Sequence, residues 1–243
     1  MGLYMIKVYI MYYSQCQEDK ILYEEFICYM NIINPVFMEI GGLDGKLYSN
    51  TLFFEEFLDW KGILVEPHPH FYKQLCTNRP NSKNYNALIS NIQTEVTYTY
   101  YKDDIILAAV AGIDDTLPHK SIYYIQQPNE TTGISKRVNY NLSIGSLISS
   151  LVKPVALTDI VNASGFEKID LFFLDVEGHE YNVLLSYNWT IPINMIIVEV
   201  NDQSDKIHIL LLEKEYVFIR DIAHNKFYML ESFKKQYFRP TQC

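Results

Sequence analysis

The chain has 243 residues, enough for one large domain or a domain with an appended lobe. At 49% hydrophobic and 20% charged residues it is a globular chain rather than a disordered one. Acidic residues outnumber basic ones, 29 to 20, and the net charge of −9 argues against a protein that coats nucleic acid, while leaving room for a local basic groove. No apolar run approaches the ~18 residues of a membrane span.

Residues 4–13 (YMIKVYIMYY) contain Lys7 and lack a small-residue cleavage site, so they make a poor signal peptide. Ile6 stands where a myristoylation motif needs Ser or Thr. The four cysteines, Cys16, Cys28, Cys76 and Cys243, form no CxxC and no zinc-ligand spacing. Free thiols in a reducing, cytoplasmic setting are expected.

Ser14-Gln15-Cys16-Gln17 reads as a capping box opening a helix to about residue 31. Past Pro35, VFMEI (36–40) reads as a buried strand, followed by the glycine-rich turn 41–45. Ser49 can cap a helix to about residue 58. Residues 62–66 form a second buried strand, 70–78 a helix and 85–89 a third strand. The strand–helix alternation predicts βαβ units and a parallel sheet. Residues 94–101 alternate as a half-exposed strand that could pair with 105–110. Residues 111–152, broken by Gly and Pro, read as an insertion or lid within a single domain spanning 1–243. The core pattern resumes with a helix from residue 157 stopped by Gly165, a strand at 169–174 and a helix at 179–187. A strand at 195–200, a helix at 204–214 and a closing hairpin from 216–219 and 227–230 complete the pattern.

Four carboxylates follow apolar strands: Asp44 (in the turn), Glu66, Asp175 and Glu199. In an open parallel sheet, ligands bind beyond the carboxyl ends of the strands. One such residue is more simply a helix cap, but a series in the same context points to a site. The first turn keeps Gly42 and Gly45 of a dinucleotide fingerprint but has Ile40 at its first glycine position, and the chain lacks a Walker motif. Glu66 lies 21 residues beyond Gly45, near the offset at which an acidic residue binds ribose hydroxyls. A nucleoside cofactor without a diphosphate, such as S-adenosylmethionine, suits this pattern.

FMEIGGLDG (37–45), SNT (49–51), WKGILVEPHP (60–69), NRP (78–80) and IDLFFLDVEGHE (169–180), with SQCQED (14–19), resemble the FkbM-like family of S-adenosylmethionine-dependent methyltransferases. The resemblance covers roughly 14–110 and 150–230. It implies the α/β class I methyltransferase fold, which is Rossmann-like. That fold has a seven-stranded, mostly parallel sheet with a C-terminal antiparallel hairpin and helices on both faces. It also implies O-methyl transfer to a small-molecule or glycan hydroxyl. By position, Glu39, Gly41, Gly42, Asp44 and Gly45 would surround the methionine moiety, and the amides at Ser49 and Asn50 would meet its carboxylate. Glu66, beside Pro67, would hold the ribose, Asn86 and Ala87 would lie near adenine, and Gln15 and Asp19 would close over the cofactor. Asp175, Glu177 and Gly178 would face the transferred methyl.

A neutral hydroxyl needs a base, and Glu177 partnered by Asp175 is the expected one. His68, His70 and His179 are alternative bases or else cap and surface histidines. Asp175 could instead bond the cofactor ammonium. A divalent ion on Asp175 and Glu199 is compatible with the sequence but not required. A homo-oligomer is equally compatible. Two rival readings are an RNA-cap ribose methyltransferase and a non-catalytic binding module. The acidic charge and the lack of Lys in 175–180 oppose the first, and the retained pocket residues oppose the second.

Overall fold

A computed structural model describes residues 11–102, 111–113, 147–200 and 203–238. The readings made at 4–10, at 105–110 and through 114–146 lie outside them.

A seven-stranded sheet forms the centre. Its strands are β1 (Val36–Ile40), β2 (Lys61–Val65), β3 (Lys83–Tyr85), β7 (Ile169–Leu174), β8 (Ile193–Glu199), β9 (Tyr216–Ile222) and β10 (Asn225–Leu230). Their spatial order is β3-β2-β1-β7-β8-β10-β9. β1, β2, β3, β7 and β8 run parallel, and β10 is antiparallel to both its neighbours. The chain reverses its order between β3 and β7, which places the switch point beside β1, where open α/β sheets bind ligands.

β1 and β7 are buried along their whole length, as expected for continuously apolar strands covered on both faces. The two-residue period sorts their side chains into two cores. Met38, Ile40, Phe172 and Leu174 face α4 (Leu157–Ser164), α5 (Glu180–Leu185) and α6 (Ser204–Glu213). Phe37, Leu171 and Phe173 face α1 (Glu18–Glu25), α2 (Leu52–Leu58), α3 (Pro69–Asn78) and α7 (Glu231–Tyr237). Gly62 on β2 meets the Phe37 ring, and a Cβ there would lie 1.9 Å from it, so glycine is required at that crossing.

A second, three-stranded antiparallel sheet, β5-β4-β6, is formed by β4 (Val96–Tyr101), β5 (Gly112–Ile113) and β6 (Leu147–Val152). Its Tyr98, Tyr100 and Ile113 pack on Leu88. The segments that follow β3 and β6 meet in an Ile89–Val155 bridge, and His68, after β2, donates its Nε2–H to the Tyr101 carbonyl of β4 at 2.8 Å. The two ends of the 111–152 segment therefore belong to a sheet.

Other boundaries shift for local reasons. The first helix is short, Glu18–Glu25, with a 3-10 turn at Ile27–Tyr29. Ser14 pairs with Asp19 rather than Gln17. Its Oγ accepts the Asp19 amide at 3.0 Å, while the Asp19 carboxylate accepts the Tyr13 and Ser14 amides. β3 ends at Tyr85 because the Asn86 side chain turns the chain, donating to the Glu66 and Pro67 carbonyls at 2.8 and 3.0 Å. The helix predicted from Ser49 starts at Leu52. α7, after the hairpin, has no counterpart in the sequence reading. Among the described residues, no helix is long and apolar enough to cross a membrane.

Candidate functional site

A cavity of about 1040 Å³, counting its open mouth, lies at the carboxyl ends of β1, β2, β7 and β8. It brings together Gln15, Glu39, Gly41, Asn50, Glu66, Pro67, Ala87, Asp175, Glu177, His179 and Glu199. The small sheet supplies one wall through Tyr98, Gly112 and Ile113. Asp19, Gly42, Asp44, Gly45, Ser49 and Gly178, all expected at the site, are not on its wall. Asn86 holds the end of β2 from outside.

The glycine turn is shaped by its packing. Gly41 has φ +93°, and a Cβ there would come 2.1 Å from the Asp175 carbonyl oxygen. The turn after β1 thus lies directly on the turn after β7. Gly42 and Gly45 face α3, where a Cβ would meet Leu75 at 2.9 Å and Arg79 at 2.7 Å respectively. Asp44 closes the turn by accepting the Lys46 and Leu47 amides at 2.9 and 2.8 Å.

Glu66 is 3% exposed and still reaches the cavity. Its carboxylate accepts the Leu43 amide at 2.8 Å and the His68 amide at 2.7 Å. Burial pushes its pKa up to about 8, against the pull of those two amides.

Glu39 is buried, and its pKa is raised by burial and held back by Arg79 and three hydrogen bonds. Oε1 accepts the Asn50 amide at 2.8 Å, and Oε2 accepts the Ser49 hydroxyl at 2.9 Å and the Thr51 hydroxyl at 2.5 Å. Ser49 Oγ in turn accepts the Thr51 and Leu52 amides. The backbone amides of 50–52 are therefore used within the protein. The group of that turn on the cavity wall is the residue Asn50, held through its amide by Glu39.

The turn 175–180 folds around Glu180, whose Oε1 accepts the Val176 and Gly178 amides, each at 3.0 Å. Glu177 takes a left-handed conformation, φ 56°, and reverses the chain. The carboxylates acting on Asp175 are Glu199 foremost, then Glu180 and Glu18, where the sequence led to Glu177 as its partner. The pKa of Asp175 is pushed well above the usual range, first by its poorly solvated surroundings and then by Glu199 and Glu180, and it shares a hydrogen bond with Glu199. Its side chain remains open to the cavity mouth.

His179 is buried, with its pKa lowered to about 4 by that burial. Asn182 donates to its Nδ1 at 3.1 Å, which leaves the proton on Nε2 for Ser90 Oγ at 2.9 Å. Both ring nitrogens are engaged, which makes His179 a neutral wall residue. His68 is likewise a cap: its Nδ1 accepts the His70 amide at 3.2 Å. His70 is exposed outside the cavity.

Asp175, Glu180 and Glu199 offer oxygens that lie within 4.8 Å of one another, the donor chemistry of a hard divalent cation. Glu180 spends Oε1 on the backbone and Asp175 shares a hydrogen bond with Glu199, so part of the cluster's oxygen capacity is used within the protein.

Sequence reasoning missed Arg79, Glu180 and the Tyr98–Ile113 wall. Arg79 had a signal. With Phe71 and Leu75 it continues a four-residue stripe along the buried face of α3, a place for an apolar residue or a paired charge. For the wall, the alternation of 94–101 announced the strand that carries Tyr98 but not its pairing with β5 and β6.

A switch point at β1, a reversed β10 and a cavity ringed by carboxylates at the strand ends define a class I methyltransferase domain. The chain belongs to the methyltransferase FkbM domain family, whose model matches residues 39–228, from the end of β1 to β10. No curated protein matches the chain.

Proposed function

We propose that the protein is an S-adenosylmethionine-dependent O-methyltransferase acting on a hydroxyl of a sugar or glycan. The observation that carries the cofactor is Glu66. A carboxylate has about four acceptor positions, and backbone amides occupy two of those of Glu66, which leaves room for a ribose diol. A turn that spends its glycines on packing rather than on a diphosphate fits the same cofactor. Ala87, Leu88, Tyr98 and Ile113 give the cavity an apolar end suited to a purine, and Glu39 and Asp175 mark its polar end. When bound, S-adenosylmethionine supplies a methyl group on a sulfonium, already a good leaving group.

The protein's remaining tasks are alignment of the acceptor and removal of its proton. Glu177, half-buried on the cavity wall, is the base in this reading. Asp175, which shares a hydrogen bond with Glu199, stands beside Glu177 in the same turn. Among the described residues no lysine lines the cavity, which speaks against the lysine-dependent cap ribose reaction. The test is methyl transfer from labelled cofactor to a panel of sugars and glycosides, with Glu177→Gln alongside. Transfer should fall by about 10²-fold in the variant with cofactor affinity unchanged. Equal transfer by the variant rules out Glu177 as the base, and cofactor binding without transfer to any hydroxyl favours a binding module.

A further inference from the structure

We propose that Arg79 is a positioning residue for the cofactor: it orients the Ser49 and Thr51 hydroxyls that hold Glu39 as an anion on the cavity wall. The inference rests on the cofactor reading above only where binding is concerned.

Arg79 sits at the end of α3 and is 1% exposed. Its Nε donates to Glu55 at 2.5 Å, Glu55 also accepts from Ser82, and its guanidinium lies 5.3 Å from the Phe37 ring centroid. Nη1 donates to the Gly45 carbonyl and to Ser49 Oγ, both at 3.1 Å, and Nη2 donates to Thr51 Oγ1 at 3.2 Å. A guanidinium can only donate. Each hydroxyl has one proton, so each must accept from Arg79 and send its proton onward to Glu39 Oε2. With the Asn50 amide on Oε1, Glu39 faces donors on both oxygens. A protonated Glu39 would need an acceptor: the Ser49 oxygen is already taken by the Thr51 and Leu52 amides, and at Thr51 Arg79 holds one lone pair and keeps the hydroxyl proton turned toward Glu39. Without Arg79 the Thr51 hydroxyl can turn and accept, burial is unopposed by the guanidinium charge, and the acid form gains. Glu39 is the carboxylate of this network that lines the cavity, where an anion suits the cofactor's ammonium.

The charged groups around Glu39 are Arg79 and Glu55 from the α2–α3 side. Across the cavity are Glu66, Asp175, Glu177, Glu199 and His179, with Tyr48 and Tyr98 at its walls. All of these other groups are retained when Arg79 is replaced, so their titrations are common to every measurement.

The test uses the full chain. The carboxyl carbon-13 resonance of Glu39, assigned by its loss in Glu39→Gln, is titrated in wild type, Arg79→Met and Arg79→Lys. The midpoint should rise about tenfold or more in proton affinity in Arg79→Met and return toward wild type in Arg79→Lys. Should Arg79→Met fail to fold, Thr51→Val cuts one arm of the relay and should move the midpoint in the same direction by less. S-adenosylhomocysteine titrated between about pH 6 and about pH 8.5 should bind Arg79→Met more weakly near neutrality and recover as pH rises. An unmoved midpoint in folded variants, or an affinity loss equal at every pH, overturns the proposal. A wild type that shows the expected midpoints but binds no S-adenosylhomocysteine supports the relay and overturns the cofactor reading instead.

Discussion

Glu66 binds a proton more tightly in the folded chain than in the unfolded one, because burial raises its pKa from 4.5 to about 8. Its contribution to stability is therefore full below about pH 4.5 and is lost as pH rises toward 8. His179 works in the opposite sense. Its folded pKa of about 4 lies below its ordinary 6.5, so its contribution grows with pH and is complete above that value. Above pH 6.5 only the decline remains, and Asp175 and Glu180, both raised by burial, share its sign. The ligand-free protein should lose stability between about pH 6.5 and about pH 8.5, and Glu66→Gln should flatten the curve by about 2 kcal/mol. Thermal melts across that window read the difference. Parallel curves for the two proteins would mean that Glu66 is already ionised by its two amide donors. The residue scale is also where the sequence was least complete. Glu66 and Asp175 could be found from their places after apolar strands. That Asp175 meets Glu199 depends on β7 and β8 lying side by side.

At the scale of elements, two glycines with similar backbone conformations should behave differently. Gly165, φ +70°, ends α4 with open space where a Cβ would stand and nothing within 4 Å of it, whereas at Gly41, φ +93°, a Cβ would lie 2.1 Å from the Asp175 carbonyl. Gly165→Ala carries only the left-handed strain, about 1 kcal/mol. Gly41→Ala must also separate the turns after β1 and β7, so it should cost more than about 3 kcal/mol or prevent folding. Urea unfolding compares them, and equal costs would contradict the packing of the two turns. Elements with a strong local signal were legible in sequence: β1 and β7 from continuous apolar runs, α4 from its stripe and Gly165, α6 from its apolar pattern. Those set by distant partners were not. The strand expected at 85–89 stops early because Asn86 bonds across to the end of β2. The helix expected through residue 31 breaks into a 3-10 turn. α7 is held by Phe233 and Tyr237 packing on a core that its own polar segment does not announce.

For the whole molecule, the main sheet supplies the rigid floor of the cavity and the small sheet supplies a wall. The parallel order and closing hairpin could be anticipated from the alternation of elements, and the family from a handful of motifs at the strand ends. The small sheet could not, because β4 pairs with strands drawn from both ends of the 111–152 segment. The cavity takes its acidic groups from the main-sheet side and its apolar groups from both, Ile40 and Phe173 from the main sheet and Tyr98 and Ile113 from the small one, a lining suited to a ligand with a cationic end and an aromatic end. The most direct test is calorimetric titration of the purified chain with S-adenosylmethionine and S-adenosylhomocysteine, repeated on Glu66→Ala. Micromolar binding, on the order of −8 kcal/mol, weakened at least about tenfold in the variant is the predicted result. A folded wild type that binds neither compound would contradict the cofactor site, and binding untouched by Glu66→Ala would contradict its placement at the end of β2.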